Sequence, residues 1–199
     1  QPYNSLSAYY DDWLVNLVIM SLIIIGGIGF IVWDDISRNR LHVRKYLLQT
    51  KIVLLTTSVL VFGGAAFFYY LEKDLLMADM SISGKILSSL FSSVTARTAG
   101  FNSIDTGALS DGSKLLTIIL MFIGGSPGST AGGVKTTTIV VLLLYVHASI
   151  QRTYGVNVLG RRLEEEAIKQ ASSVFTINLF LALGASLVIM AVQPLSLSD

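Results

Sequence analysis

Residues 93–138 read "SVTARTAGFNSIDTGALSDGSKLLTIILMFIGGSPGSTAGGVKTTT", and this stretch decides the fold. Its first part places Arg97 and Gly100 directly after a short, apolar, serine-rich run. Its second part inserts five glycines and one proline between Gly124 and Gly133, inside an apolar segment that continues beyond Lys135. Relative to alanine, each glycine costs a helix about 1 kcal/mol and a proline about 3 kcal/mol. The stretch therefore predicts a helix that is broken in its middle.

The composition predicts an integral membrane protein. The chain has 199 residues, a mean hydropathy of +0.66 and 14% charged residues, whereas soluble domains carry about 25%. Two uncharged runs of 20 residues, Leu14–Trp33 and Ile52–Leu71, are long enough to cross a hydrocarbon core of ~30 Å as helices. The absence of cysteine excludes disulfides and thiolate metal sites. A net charge of +1 without a long basic run argues against nucleic-acid binding.

Four long apolar segments predict an all-α architecture. A shorter apolar segment, Ile86–Ala96, has too few residues to cross and predicts a re-entrant helix. The third long segment exceeds the length of one crossing and contains the glycine-rich break. The predicted fold is therefore a span–pore helix–span repeat with a re-entrant filter loop and a broken second span. The four predicted spans are Leu14–Trp33, Ile52–Leu71, Leu115–Ala148 and Ser173–Val192.

The charges of the loops predict how the spans are oriented. Lysine and arginine are concentrated in the loops 34–51 and 149–172, whereas the segment between the second and third spans carries more acidic than basic residues. Basic loops stay on the cytoplasmic side of a membrane. We therefore expect both basic loops in the cytoplasm and expect the filter loop to enter from the outside.

The turn after the short helix is a candidate filter strand. Backbone at membrane depth must be satisfied inside protein or by water, and pore loops use their carbonyl oxygens to replace the hydration shell of a cation. Gly100 as an ordinary helix C-cap remains an alternative. Arg97 is interpreted either as a snorkelling side chain or as a tether to an acid such as Asp105. The candidate strand consists of Thr98, Ala99, Gly100 and Phe101, and the backbone carbonyls of Thr98, Ala99 and Gly100 are its candidate ligands for a cation.

The glycine-rich segment is a candidate barrier beneath that strand. Discontinuous helices at mid-membrane commonly border an ion pathway, with their freed backbone turned towards water. Close packing of small residues is the alternative, and a phosphate-binding loop is rejected because Val134 separates Gly133 from Lys135. Lys135 is interpreted as an anchor of the segment, a barrier to cations or a snorkelling side chain. The segment comprises Gly124, Gly125, Ser126, Pro127, Gly128, Ser129, Thr130, Ala131, Gly132 and Gly133.

Two motifs carry a resemblance to a known family. "SVTARTAGFNSIDTGAL" and "LMFIGGSPGSTAGGVKTTT" together resemble the Trk/Ktr/HKT superfamily of K⁺ transporters, in particular its Ktr-type membrane subunit, and "IIIGGIGFIVWDDI" (residues 23–36) also fits. The resemblance implies four span–pore helix–span repeats around one pore, each with one filter strand. It implies that residues 1–36 hold the last helix of the second repeat, 37–51 a cytoplasmic loop, 52–151 the third repeat, 152–172 a cytoplasmic loop and 173–199 the first helix of the fourth.

The resemblance also implies a function. Gly100 would be the filter glycine of the third repeat, residues 124–133 the loop that gates conduction, and Lys135 the lysine that closes that motif. The expected activity is K⁺ translocation across the plasma membrane without enzymatic catalysis, and Na⁺ coupling stays open. The implied partners are a second copy of the full-length subunit and a cytosolic nucleotide-binding regulatory ring. The basic stretches 38–51 and 152–169 are candidate contacts for that ring, and contact with membrane lipid is the alternative reading of their charge.

The chain departs from the family pattern in two residues and in extent. The family commonly reads Ser-Thr-Gly-Gly-Gly-Ile-Lys, whereas this chain has Ala131 and Val134 in that motif. One filter strand of four cannot enclose a pore, so we expect these residues to be part of a longer subunit. Two other functions remain open, a non-conducting membrane scaffold and an intramembrane serine hydrolase. The hydrolase would use Ser126 or Ser129 as nucleophile, and it would need His42 or His147 as base.

Overall fold

The computed structural model describes residues 5–40, 42–152, 157–158, 161–163 and 165–192. It confirms the predicted all-α architecture, with one short antiparallel hairpin, β1 and β2, as the exception. The chain ends and parts of the predicted loop 152–172 lie outside the described residues. The elements are α1 (Trp13–Ile28), α2 (Phe30–Asn39), α3 (Leu48–Glu72), α4 (Ile82–Thr95), α5 (Asp111–Phe122), α6 (Thr136–Ile150), β1 (Asn157–Val158), β2 (Arg161–Arg162) and α7 (Glu165–Val192).

Long apolar helices make this a multi-pass membrane protein. Among the described residues, α3 and α7 are each long and apolar enough to cross a membrane, and the bent pair α1–α2 adds a third candidate span. The second and fourth predicted spans are therefore present, although α3 begins at Leu48 rather than Ile52 and α7 begins at Glu165 rather than Ser173. Apolar side chains of α6 and α7 pack around Ile52 of α3.

The first predicted span, Leu14–Trp33, is not one continuous helix. The chain turns at Gly29, and the axes of α1 and α2 differ by 95°. Gly29 has a φ of +93°, a region that side-chain-bearing residues rarely adopt. The prediction of a single helix is wrong because hydropathy counts glycine as compatible with a span and does not detect this backbone conformation.

The predicted re-entrant segment is present as α4. The helix begins beside the start of α1, where the Trp13 indole N–H donates to Ser83 Oγ at 2.7 Å. It ends near the middle of α3, because the Ser93 hydroxyl donates to the carbonyl oxygens of Leu60 and Val61 at 3.1 and 2.9 Å. The following chain returns towards the first end, where the Asn102 N–H donates to Ser5 Oγ at 3.1 Å. The segment therefore enters and returns on one side, although α4 begins at Ile82 rather than Ile86.

The predicted break in the third apolar segment is also present. Helix α5 ends at Phe122 and α6 begins at Thr136. Ile123 and Val134 form an isolated parallel bridge across the base of the intervening loop. On the α3 side, Leu120 of α5 packs with Phe68 and Ala96, so α3 supports both the end of α4 and the start of the loop.

Candidate functional site

The outer turn, residues 98–101, follows directly from the C-terminal end of α4. Thr98 and Gly100 both have positive φ, +68° and +81°. The Ala99 N–H donates to the Thr95 carbonyl at 3.1 Å, and the Thr95 hydroxyl donates to the Phe101 carbonyl at 2.6 Å. Thr95 thus holds the turn at both ends. The turn lies where the helix dipole of α4 supplies partial negative charge, which favours a nearby cation.

A cavity of about 470 Å³ borders the outer turn. Its wall combines residues of the turn with hydroxyl-bearing residues of α4 and α5, together with apolar residues of α3 and the return loop. A β-carbon placed on Gly100 would meet nothing within 4 Å, so this residue faces open space in the described part of the chain. The polar members of the wall include Ser92, Thr95, Thr98, Asn102, Ser103, Thr106 and Thr117.

The glycine loop, residues 124–133, folds back on itself so that its two ends touch. A β-carbon placed on Gly124 would lie 1.7 Å from the carbonyl oxygen of Gly132, so no larger residue fits there. The Gly125 N–H donates to the Gly132 carbonyl at 3.3 Å, and the Val134 N–H donates to the Phe122 carbonyl at 3.0 Å. The loop therefore closes onto its own base without helical hydrogen bonds.

Both halves of the loop are fixed to the residues at the start of α6. Ser126 and Thr136 are both fully buried, and their hydroxyl oxygens lie 3.3 Å apart. The Thr136 N–H donates to the Gly125 carbonyl at 3.1 Å. The Lys135 ammonium donates to the Ala131 carbonyl at 2.7 Å. A charged donor therefore reaches back into the loop from the residue that precedes α6.

The glycine loop also lies against the elbow between α1 and α2, a contact that the sequence reasoning missed. The Ser126 N–H donates to the Gly27 carbonyl at 3.0 Å. Both the N–H and the hydroxyl of Thr130 point to the Gly26 carbonyl, at 3.4 and 3.3 Å. In the other direction, the Phe30 N–H donates to the Gly128 carbonyl at 3.1 Å. The sequence signal for this contact was the pair Gly26 and Gly27. Two residues without side chains inside an apolar run leave the backbone accessible to another segment.

Arg97 connects the outer turn to the glycine loop. The side chain is buried, and its Nη2 donates to the Gly124 carbonyl at 3.5 Å, while its Nε has no partner among the described residues. A cavity of about 10 Å³ lies between Arg97, Gly125 and α1, enough for about one water. Asp105 instead accepts from a backbone N–H two residues later. The structure therefore shows neither snorkelling nor the suggested tether to Asp105.

The outer turn and the glycine loop are neighbours. A β-carbon placed on Gly132 would lie 4.0 Å from Cγ2 of Thr98. The candidate strand, the candidate barrier and Lys135 therefore lie in one region of the structure. The candidate nucleophile Ser126 contacts Thr136, and His42 contacts the Asn39 carbonyl in the loop after α2.

Comparison with known proteins gives a consistent set of similarities. The family model of TrkH, described as a cation transport protein, matches residues 1–199. The potassium/sodium uptake protein NtpJ of Enterococcus hirae is 37% identical over 98% of this chain and 42% of its own length. The Ktr system potassium uptake protein B of Bacillus subtilis is 37% identical over 89% of this chain and 40% of its own length.

A solved structure shares the fold. The crystal structure of the potassium transporter TrkH from Vibrio parahaemolyticus aligns with a TM-score of 0.70 at 21% identity. That alignment covers 87% of this chain and 38% of the other. The chain therefore spans about two fifths of the length of the relatives that it matches.

Proposed function

Because this chain belongs to the TrkH family of cation transport proteins, we propose that it supplies one pore repeat of a membrane subunit that translocates K⁺. The observation that carries the proposal is the position of the outer turn. Helix α4 ends halfway along α3, and the turn there combines positive φ at Thr98 and Gly100 with a cavity, whose largely apolar wall includes several hydroxyl groups, and with the adjacent glycine loop. Both relatives described above are named for potassium uptake, which supports K⁺ as the ion.

Family membership also decides the class of activity. The matched family and its relatives are transport proteins rather than enzymes, which confirms the prediction that the chain is not an enzyme. The serine hydrolase alternative is therefore set aside. The scaffold alternative differs from the transport proposal in one measurable respect, because a scaffold carries no ion flux.

In this proposal, residues 98–101 are the filter strand. The carbonyl oxygens of Thr98, Ala99 and Gly100 replace part of the hydration shell of K⁺, and the negative end of the α4 dipole favours the cation at the same place. Three further strands are needed to surround an ion. We assign those to the first, second and fourth repeats of the full-length subunit, with this chain covering the end of the second repeat, the third repeat and the start of the fourth.

Residues 124–133 act as the gate in this proposal. The loop sits next to Thr98 and is held by hydrogen bonds rather than by a packed apolar core. A barrier built in this way can move aside without unfolding a helix. Lys135 anchors the gate through its bond to the Ala131 carbonyl.

The assembly partners belong to the same proposal. We assign residues 34–51 and 149–172 to the cytoplasm and the outer turn to the side reached from outside. The full-length subunit forms a homodimer and binds a cytosolic ring of nucleotide-binding regulatory subunits, with the two basic loops as contact regions or as contacts to lipid headgroups. The Enterococcus hirae relative is named as a potassium/sodium uptake protein, which supports testing Na⁺ as a second ion.

Uptake measurements test the proposal. The full-length protein, expressed in cells that lack K⁺ uptake systems, is expected to restore growth at low K⁺ and to take up Rb⁺. Cells with an empty vector serve as the control, and protein in the membrane fraction is quantified in parallel. If the protein reaches the membrane and neither growth nor Rb⁺ uptake changes, the scaffold function is correct and the transport proposal is wrong.

Replacing Lys135 tests the anchor role of its side chain. Lys135→Met removes a charge-assisted hydrogen bond, a type that contributes about 1.5–3 kcal/mol, while it keeps an unbranched side chain. We expect the initial rate of Rb⁺ uptake to rise by about tenfold, the change given by a barrier lower by about 1.4 kcal/mol. Lys135→Arg, which retains charge and donors, is the matched control. A Lys135→Met rate equal to that of the unaltered protein would contradict the anchor role.

A further inference from the structure

The break between α1 and α2 leaves backbone groups free at one place. In a continuous helix the carbonyls of Gly26 and Gly27 would accept from the N–H groups of Phe30 and Ile31, four residues later. The turn at Gly29 removes those partners, as the end of any helix does. The freed carbonyls accept from Ser126 and Thr130 instead, and the freed N–H of Phe30 donates to Gly128. The elbow and the glycine loop therefore complete each other's hydrogen bonding.

We infer that the elbow, residues 26–30, is a positioning element that seats the gate loop in its closed conformation. The inference rests on the proposed gate function of residues 124–133. The bonds run in both directions and contact the loop at three of its residues, so they fix its orientation as well as its distance from α1. These bonds must break when the gate opens. The segment α1–α2, which belongs to the preceding repeat, therefore contributes to the stability of the closed gate.

The packing at Gly29 makes the contact between the elbow and the glycine loop sensitive to a side chain at this position. A β-carbon at Gly29 would lie 2.5 Å from the Pro127 carbonyl oxygen and 3.3 Å from the carbonyl carbon of Gly128. Both are backbone atoms, so only movement of the loop or of the elbow relieves the contact. A β-carbon at Gly63, in the middle of α3, would meet nothing within 4 Å. Alanine at position 29 therefore tests the contact between the elbow and the glycine loop, and alanine at position 63 is the control for a general effect of the substitution.

Helix α2 connects the elbow to the rest of the basic loop 34–51. Its ten residues span about 15 Å, and its second half carries Asp35, which is buried. Asp35 accepts from the Leu47 N–H at 2.8 Å and from the Asn39 side chain at 2.7 Å, so it joins the end of α2 to the start of α3. Helix α2 therefore contacts the glycine loop at its first residue and the residue before α3 in its second half.

The experiment compares Gly29→Ala with Gly63→Ala in the full-length subunit. Rb⁺ uptake is measured in transport-deficient cells at matched membrane expression, and detergent-extracted protein is checked for a monodisperse elution profile. Gly29→Ala is expected to raise the initial rate about tenfold, equivalent to a barrier lower by about 1.4 kcal/mol, whereas Gly63→Ala keeps the unaltered rate.

A second pair, Thr130→Val and Thr137→Val, removes one hydroxyl each. The Thr130 hydroxyl bonds Gly26, and that of Thr137 has no hydrogen bond among the described residues.

A reporter separates gate movement from other causes of faster flux. Ser126→Cys places a thiol at a fully buried position, in a background whose remaining cysteines are replaced. A small thiol reagent is expected to modify it several-fold faster when Gly29→Ala or Thr130→Val is present. Deletion of residues 125–132 removes the reporter position as well, so it serves as the reference for an open gate in the uptake measurement alone. If the deletion raises uptake while Gly29→Ala and Thr130→Val match their controls in both uptake and thiol modification, the elbow inference is wrong and the gate stands. If the deletion has no effect, the gate itself is wrong and the elbow inference falls with it.

Discussion

A full-length subunit that lacks residues 125–132 is expected to take up Rb⁺ at least about tenfold faster than the unaltered protein, since removal of a barrier of about 1.4 kcal/mol or more gives that change. The geometry allows the deletion because the two ends of the loop already touch. A β-carbon placed on Gly133 would lie 3.0 Å from both the Cα and the N of Gly124. Consecutive Cα atoms are about 3.8 Å apart, so the gap that the deletion leaves between Gly124 and Gly133 is close to the length of one peptide unit.

The deletion is measured as the initial rate of Rb⁺ uptake, corrected for the amount of protein in the membrane. A leak through a damaged protein is the competing explanation for a faster rate. The same deletion combined with Gly100→Ser is the control, because this substitution is expected to change the Rb⁺ preference of flux through the filter and to leave that of a leak elsewhere unchanged. An unchanged rate in the single deletion would show that residues 125–132 are not a barrier to the ion.

The sequence predicted the features whose causes are local. Five glycines and a proline cannot form a stable helix, so the break between α5 and α6 follows from those residues alone. An apolar, serine-rich segment of eleven residues is too short to cross a membrane, which is why α4 was recognisable as re-entrant. Lys135 donates to the Ala131 carbonyl four positions earlier, although the sequence left the role of this lysine open. The boundaries moved by several residues, since helix ends depend on caps such as Ser81, whose hydroxyl accepts from the Gly84 N–H.

The features that the sequence did not predict depend on residues far apart in the chain. The turn at Gly29 is fixed against Pro127 and Gly128, about a hundred positions later. Nothing in the run around Gly29 distinguishes a glycine that bends the chain from one that packs within a straight span. Arg97 presents the same difficulty, because its contact with Gly124 is a backbone carbonyl. Every residue carries a backbone carbonyl, so the sequence does not show which one accepts from Arg97. A search restricted to acidic side chains such as Asp105 misses this kind of partner.

Gly100→Ser is expected to reduce the preference of Rb⁺ uptake over Na⁺ by about tenfold, the loss that corresponds to about 1.4 kcal/mol. Gly100 has a φ of +81°, and a residue with a side chain in that region costs roughly 1–2 kcal/mol. Because a β-carbon at Gly100 meets nothing within 4 Å, the cost does not come from a clash in the described part of the chain. The strain instead falls on the backbone between Thr98 and Phe101, whose carbonyls are the proposed ligands. A filter that coordinates through backbone oxygens loses discrimination when those oxygens move.

The measurement is the inhibition of Rb⁺ uptake by increasing Na⁺, compared between Gly100→Ser and the matched control Gly63→Ser. Gly63 lies within α3 and also has open space around its β-carbon position, so its substitution adds the same hydroxyl without positive φ. Both variants gain a polar side chain, and only one of them changes the proposed filter. The C-cap of α4 is Ala96, so the alternative of Gly100 as a helix C-cap is wrong. Equal Na⁺ inhibition in the two variants and the unaltered protein would mean that the backbone at Gly100 does not contact the ion. A loss of preference confined to Gly100→Ser requires the backbone at this turn to contact the ion, since an uncharged hydroxyl elsewhere in the membrane leaves the preference unchanged.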